Sequence, residues 1–504
     1  MVISYVNSIE DLDKLEKYIQ NKFKKIKFGN FLFSLHQLKR QNAKIEPFVA
    51  AGASLFACQF CCPSKSSQKV INLDIRSLIN ICKNYYLADP ITLDRSLEKY
   101  FLSSNPGFLM LRLASHQFPF EPDYFGQFSR PSWLFTKMPS QLENSLGIQN
   151  FYFEDKFQSI NQCSVIDFIT TSFIAWVGLH HNFSISHEYF TKARKQGINL
   201  PNDRVIRSII NTISADKYKL TKRYEELKNK DRRFRMYDFN PLLEYPIIKP
   251  CQDKQFSTKN FLHAPIPDLI VSRIGTGIFY QMFNEYGTEF SKYFGYVFEH
   301  YVGTVLKHST PSNTVLSEAD VRQVYQGKCP DWIIIDGSTV ILFECKATRF
   351  SREAQAIASE DAVNKSLKQV IKGLKQLHSF IHKGSKCPAI NQMLNCCNTF
   401  KPIFVSLEPL YLINSNSFRE HINSLLRNEN ITNFEWMILS IQQLEHLQPH
   451  IASGVSISEI LYNVYNKGFD NVIQDLEAKT GKRFVDSFLY SEQEQLYKKL
   501  NILH

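Results

Sequence analysis

The 504-residue sequence lacks several things, and each absence closes off a class of protein. It has no apolar run of the roughly 20 residues that a bilayer-spanning helix needs. The best candidate, residues 165–179, is too short and carries Asp167, Thr170, Thr171 and Ser172, so no membrane partner is expected. The N-terminus has no apolar core of a secretory signal, because Asp11, Asp13 and Glu16 arrive too early. There is no repeat at a solenoid period and no long low-complexity tract. The 11 cysteines lack the spacing of a disulfide scaffold. In a chain this long they point to reduced thiols and a cytoplasmic location. Cys58, Cys61 and Cys62 contain one C-x-x-C, with Cys82 as a further candidate ligand, but no second pair follows. A zinc ribbon is therefore not expected, and these thiols are read as part of the apolar stretch 50–62.

What is present is enough for several cores. Hydrophobic residues make up 44% and charged residues 21%, which excludes a disordered or fibrous chain. At roughly 100–200 residues per domain, two to four domains are expected. The net charge of +11 favours anionic partners, nucleic acid ahead of acidic membrane.

Residues 1–240 read as mostly helical. In 9–26, Leu12, Leu15, Tyr18, Ile19 and Phe23 fall at helical spacing. Residues 73–87 and 94–102 look similar. A further helix spans 203–213, led by Pro201, Asn202 and Asp203. The Phe-, Pro- and Ser-rich segment 106–139 reads as irregular. The stretch 217–235 packs nine Lys and Arg among Tyr218, Tyr224 and Phe234. Such a mixture suits phosphate contacts and base stacking, and equally a solvated helix face laced with ion pairs, the reading slightly favoured. His180, His181 and His187 read as exposed or core histidines ahead of a metal site. Five prolines between 241 and 267 mark a boundary.

The chemistry concentrates after that boundary. Residues 293–306 read as a helix whose apolar face has Glu299 at its edge, beside Gly295, Val302 and Leu306. Residues 332–335 and 340–343 are two apolar strands, joined through Asp336, Gly337 and Ser338. With Gly337-Ser338 as the turn, Asp331 lies directly opposite Glu344. With Asp336-Gly337 it lies diagonal to it. Both registers keep the two carboxylates on one face. Lys346 shares that face because strand side chains alternate, while Phe343 and Cys345 point away. Two close carboxylates repel, and a hard divalent ion with oxygen ligands relieves them.

Pro330-Asp331, twelve residues, then Glu344-Cys345-Lys346 resembles the PD-(D/E)xK motif of the restriction-endonuclease-like nuclease superfamily. The resemblance covers roughly residues 285–445. It implies a mixed sheet flanked by helices and says little about the first 270 residues; with their helical periodicity, the expected fold is an α+β chain with a large, mostly helical N-terminal domain. The resemblance implies a Mg²⁺ ion, with Mn²⁺ as the alternative, held by Asp331, Glu344, Glu299 and the carbonyl of Cys345, with Lys346 placing the water. Gln369, on the long helix at 358–382, would lie near the metal water. The Q-x-x-x-Y form is absent, since Gly373 stands where Tyr would be. Residues 404–413 and 436–441 read as later strands.

The implied organisation is a helical recognition or regulatory region at 1–270, a nuclease domain at 271–445 and a helical extension at 446–504. The implied activity is phosphodiester hydrolysis, with DNA favoured and RNA, including tRNA, as the alternative. A third reading is a catalytically dead, nucleic-acid-binding scaffold on the same fold. The accessory half resembles those of prokaryotic antiviral-defence effectors, which implies a phage-derived or protein activator and leaves an oligomer open.

Overall fold

Alternation along residues 332–346 sets the layers of the fold. In the computed structural model, Ile333, Val340 and Leu342 enter one apolar cluster. Trp332, Ile334, Ile341, Phe343 and Cys345 enter another. A strand whose two faces are both apolar must be covered on both sides. The structure describes all residues except 1–5, 42, 62–71, 89–93, 95–105, 122–123, 146–150, 250–260, 311–314 and 503–504. The helix expected at 94–102 lies, Asp94 apart, outside the described residues, as does Cys62.

The sheet has five strands in the order β1 (Val315–Ser317), β2 (Trp332–Asp336), β3 (Thr339–Lys346), β4 (Thr399–Ser406) and β5 (Met437–Ser440). β1 and β2 are antiparallel, as are β2 and β3, whereas β3–β4 and β4–β5 are parallel. The chain is thus α+β with a mixed sheet. Asp336 pairs with Thr339 and Trp332 with Phe343. This is the first of the two registers anticipated. Gly337 occupies the left-handed region at φ +62°, as the first position of a tight hairpin turn favours.

Helix α1 (Thr276–Ser309) covers the face carrying Trp332 and Phe343. It breaks at Gly287, whose φ of 53° and ψ of −125° suit only glycine. Helix α2 (Glu360–Ser379) covers the other face through Val363, Leu367, Val370, Leu374 and Leu377. The later strands start earlier or run shorter than the sequence suggested. Thr399–Ser406 ends where 407–413 turn away, because Leu407, Leu410 and Ile413 reach the core from irregular backbone.

The described residues of the N-terminal half are mostly helical, as expected. Asp203–Ile213 is capped by Asn202, whose side chain accepts from Arg204 N and Val205 N, and buries Ile206, Ile209, Ile210 and Ile213. The described residues of 106–139 are mostly helical, not irregular as the sequence suggested. They form a helix at Pro106–Gln117 and helical turns at Ser129–Ser132 and Trp133–Lys137. Phe108, Leu111, Leu134 and Phe135 bury there, and tertiary burial outweighs the Pro- and Ser-rich composition.

One apolar cluster runs from Phe128 through Val165–His181 and α1 to Leu500. The boundaries anticipated near 270 and 445 are therefore not breaks in the core. A second cluster joins the helices Ile9–Phe23, Phe28–Arg40, Pro47–Phe60 and Asn72–Tyr86, and holds Cys58, Cys61 and Cys82. No single helix among the described residues is long and apolar enough to cross a membrane. Val165–His181, the best sequence candidate, is a core helix.

Candidate metal and catalytic centre

Asp331 sits one residue before β2, and Glu344 and Lys346 sit at the end of β3. Neither carboxylate is left to water: Asp331 is 4% exposed and Glu344 0%. The Cys345 N–H donates to Asp331 Oδ2 at 2.6 Å. Lys346 Nζ lies 2.6 Å from Glu344 Oε1 and 3.6 Å from Asp331 Oδ2. The hairpin brings all three together, as the residue parity required.

Glu299 arrives from α1. The Trp332 indole N–H donates to the Glu299 carbonyl at 2.9 Å and ties that turn of helix to β2. Gly303, one turn on, lets the indole lie against the helix, since a Cβ there would stand 2.0 Å from Trp332 Cζ2. Glu299, Asp331 and a third acid, Glu318, each present an oxygen within 4.8 Å of the others. This is the one such group of three potential ligands among the described residues. His180, His181 and His187 form no such group. His180 instead lies 3.8 Å from Asp268.

Sequence reading missed Glu318. It opens the short helix Glu318–Arg322, whose N-cap is Ser317 in a reciprocal box with Asp320. The S-x-x-D pattern at 317–320 signals that helix start. Nothing local places the turn against the hairpin. That link is long-range, from Glu318 N to the Asp331 carbonyl at 2.9 Å. Arg322 Nε donates to Glu318 Oε1 at 2.8 Å, so Glu318 is the outer acid and is already partly neutralised.

The glutamine also differs from expectation. Gln369 is exposed on α2. Gln376, two turns further along the same flank, reaches the site. Its Nε2 donates to Glu344 Oε2 and to the Cys329 carbonyl, both at 2.7 Å. Gly373 lets the helix come this close, because a Cβ there would stand 3.0 Å from Glu344 Cγ and 2.7 Å from Phe404. A glycine inside an otherwise apolar helix face was the signal for that approach.

Electrostatics follow from burial and crowding. Burial first, then Asp331 and Glu318, push Glu299 up to about 8. Burial and Asp331 push Glu344 up to about 8 against the pull of Lys346. Burial also raises Asp331, opposed by Lys346 and the Cys345 N–H. Burial disfavours the Lys346 ammonium, but Glu344 and Asp331 more than offset this and raise its pKa. The cluster therefore lacks positive charge.

The carboxylate oxygens of Glu299, Glu318 and Asp331 crowd within 4.8 Å of one another. The nearest ammonium, Lys346, is committed to Glu344 at 2.6 Å and stands 3.6 Å from Asp331. Crowded, buried carboxylates are costly unless a cation serves them. The donors are all oxygens, which suits a hard divalent ion. The residues present fit a metal site.

The basic stretch at 217–235 is largely neutralised. Arg223 pairs with Glu244 at 2.7 Å, Arg233 with Asp231 at 2.7 Å, and the buried Arg235 with Glu16 at 3.0 Å. Phe234 is in the core and Tyr224 donates to Asp238. No family model, curated protein or solved structure matches the chain.

Proposed function

We propose that the protein is a metal-dependent nuclease that hydrolyses phosphodiester bonds at the hairpin centre. The observation that carries this reading is the meeting of Glu299, Glu318 and Asp331 beside Glu344 and Lys346. Mg²⁺ fits as the ion, because it takes a few carboxylates and keeps waters. Asp331, Glu299 and Glu318 would hold it, with Glu344 beside them on the same hairpin and paired with Lys346. Once bound, it would supply Lewis-acid polarisation of a phosphate and a more acidic water.

The protein's own residues account for the rest. Lys346 carries a fixed positive charge on the carboxylate face, where it can orient a water and stabilise charge developing on the phosphate. Gln376 holds Glu344 through Oε2, and the Lys346 ammonium pairs with Oε1. Trp332 fixes the turn of α1 that bears Glu299. Gln376 and Trp332 are positioning residues. Lys346 and the carboxylates are the catalytic set.

DNA is the first substrate proposed and RNA the alternative, with antiviral defence as the setting. The test is to express the wild-type chain and Glu344→Ala in cells and to sequence all degraded DNA and RNA. Fragments of one polymer that appear only with the wild type support the reading and name the substrate. Identical fragment profiles in both would sink it.

A further inference from the structure

A cavity of about 730 Å³ opens among the N-terminal helices, lined by none of the residues of the carboxylate cluster. Its volume falls within the range of small-ligand sites, roughly 300–1,000 Å³. Phe56, Tyr86 and His116 form one wall. Tyr86 and His116 are stacked with ring centroids 6.0 Å apart and planes 25° apart. Burial pulls His116 down to about 4, so the ring is neutral. Its Nε2 is shut from water with no hydrogen-bond partner. Flat aromatic walls of this kind stack any nucleobase, because every base has a π-face.

The mouth has the opposite character. Lys228, Lys230 and Arg232 line it and are exposed. Glu225 and Glu226 also line it, but Glu225 is paired with Lys228 and Glu226 with Arg223 at 3.2 Å. Arg232 is only loosely held, 3.4 Å from Asp13. Lys230 makes no ion pair among the described residues. These cations belong to the basic and aromatic stretch 217–235 that the sequence alone singles out. Inside, Asp238 accepts from Tyr224 Oη and from the backbone and side chain of Asn229. The cavity thus joins an aromatic wall, a polar interior and an entrance where acids and bases are mixed and Lys230 is the cation without an ion pair among the described residues.

We propose that this cavity binds a nucleoside phosphate, with the base against Phe56, Tyr86 and His116 and the phosphates at Lys228, Lys230 and Arg232. The assignment stands independently of nuclease activity. It gives the N-terminal half a ligand of defined chemistry.

The test uses the full chain in chelator, so that the carboxylate cluster holds no cation and no phosphate through one. Fluorescent N-methylanthraniloyl derivatives of ATP, GTP, CTP and UTP are titrated in turn. Saturable binding of at least one is expected, weakened about tenfold or more in Lys230→Glu/Arg232→Glu. Both positions are exposed, so the variant should melt with the wild type. Inorganic tripolyphosphate should compete about tenfold less well than the matching unlabelled nucleotide. Three results overturn the proposal: no saturation up to about 1 mM, equal affinity in wild type and variant, or equal competition by tripolyphosphate.

Discussion

Glu344 shows how a carboxylate can be fully buried and still held from both sides. Gln376 donates to one of its oxygens and the Lys346 ammonium pairs with the other. Gln376→Leu should therefore release the carboxylate without removing any ligand. Loss of such outer support typically costs about 10–100-fold in metal affinity or activity. Metal titration of the variant checks this, and an unchanged affinity would show that Gln376 only packs.

Protonation gives a second test at the same scale. Glu299 and Glu344 lie at about 8 in the fold, against about 4.3 for free glutamate. Between those values the unfolded chain has released protons that the native state keeps. Metal-free stability should therefore fall as pH rises through that window. A cation needs ionised carboxylates, so the Mg²⁺-induced rise in melting temperature should grow from about pH 6 to pH 8. Thermal melts with and without Mg²⁺ read it directly. A shift that shrinks with pH would count against these two acids as ligands.

Asp331, Glu344 and Lys346 were legible because strand parity is rigid, and any two-residue turn keeps them on one face. Glu318 was not legible, because its approach depends on a backbone hydrogen bond across thirteen residues of chain. Gln369 and Gln376 lie seven residues apart on one helix, and only the packing against β3 decides which one meets the carboxylate.

Among the elements, the contact of α1 with β2 sets where Glu299 stands. The indole of Trp332 occupies the space a side chain at Gly303 would need. Gly303→Ala should force a shift and cost about 1–3 kcal/mol, as overpacking does in close-packed cores. Denaturant unfolding measures that cost, and Mg²⁺ affinity should fall with it because the Glu299 turn moves. A fully stable variant would mean that the helix yields freely. The hairpin and α2 were visible as runs of apolar residues bounded by turn residues. The extent of β4 was not. Leu407, Leu410 and Ile413 are buried from irregular backbone, and burial alone does not separate them from a strand.

Across the whole molecule, the N-terminal half is bolted to the sheet layers by charge as well as by apolar packing. Glu445 is 0% exposed, accepts from Tyr301 Oη at 2.6 Å and from Arg130 Nε at 2.8 Å. Arg130 comes from the N-terminal half, Tyr301 from α1 and Glu445 from the helix Ile441–Ala452. Arg130→Met would strand a buried carboxylate, a change that costs about 3–5 kcal/mol. A large fall in melting temperature is expected, and Arg130→Met/Glu445→Gln should recover part of it. No recovery would show that Arg130 contributes through packing instead of charge. The proline-rich stretch at 241–267 looked like a domain boundary in the sequence. Shared burial on both sides of it, with Ile213 before and Ile274 after in one apolar cluster, is a long-range property that composition does not carry.

The central claim is that the hairpin centre cuts nucleic acid with a divalent ion. Purified wild type, Glu344→Ala and Lys346→Ala are incubated with end-labelled single- and double-stranded DNA and with total RNA, in Mg²⁺ or in chelator. Cleavage is expected only for the wild type with Mg²⁺, with each substitution lowering the rate by about 100-fold or more. Cleavage that survives both substitutions, or that proceeds in chelator, would contradict a metal-dependent nuclease built on Asp331, Glu344 and Lys346.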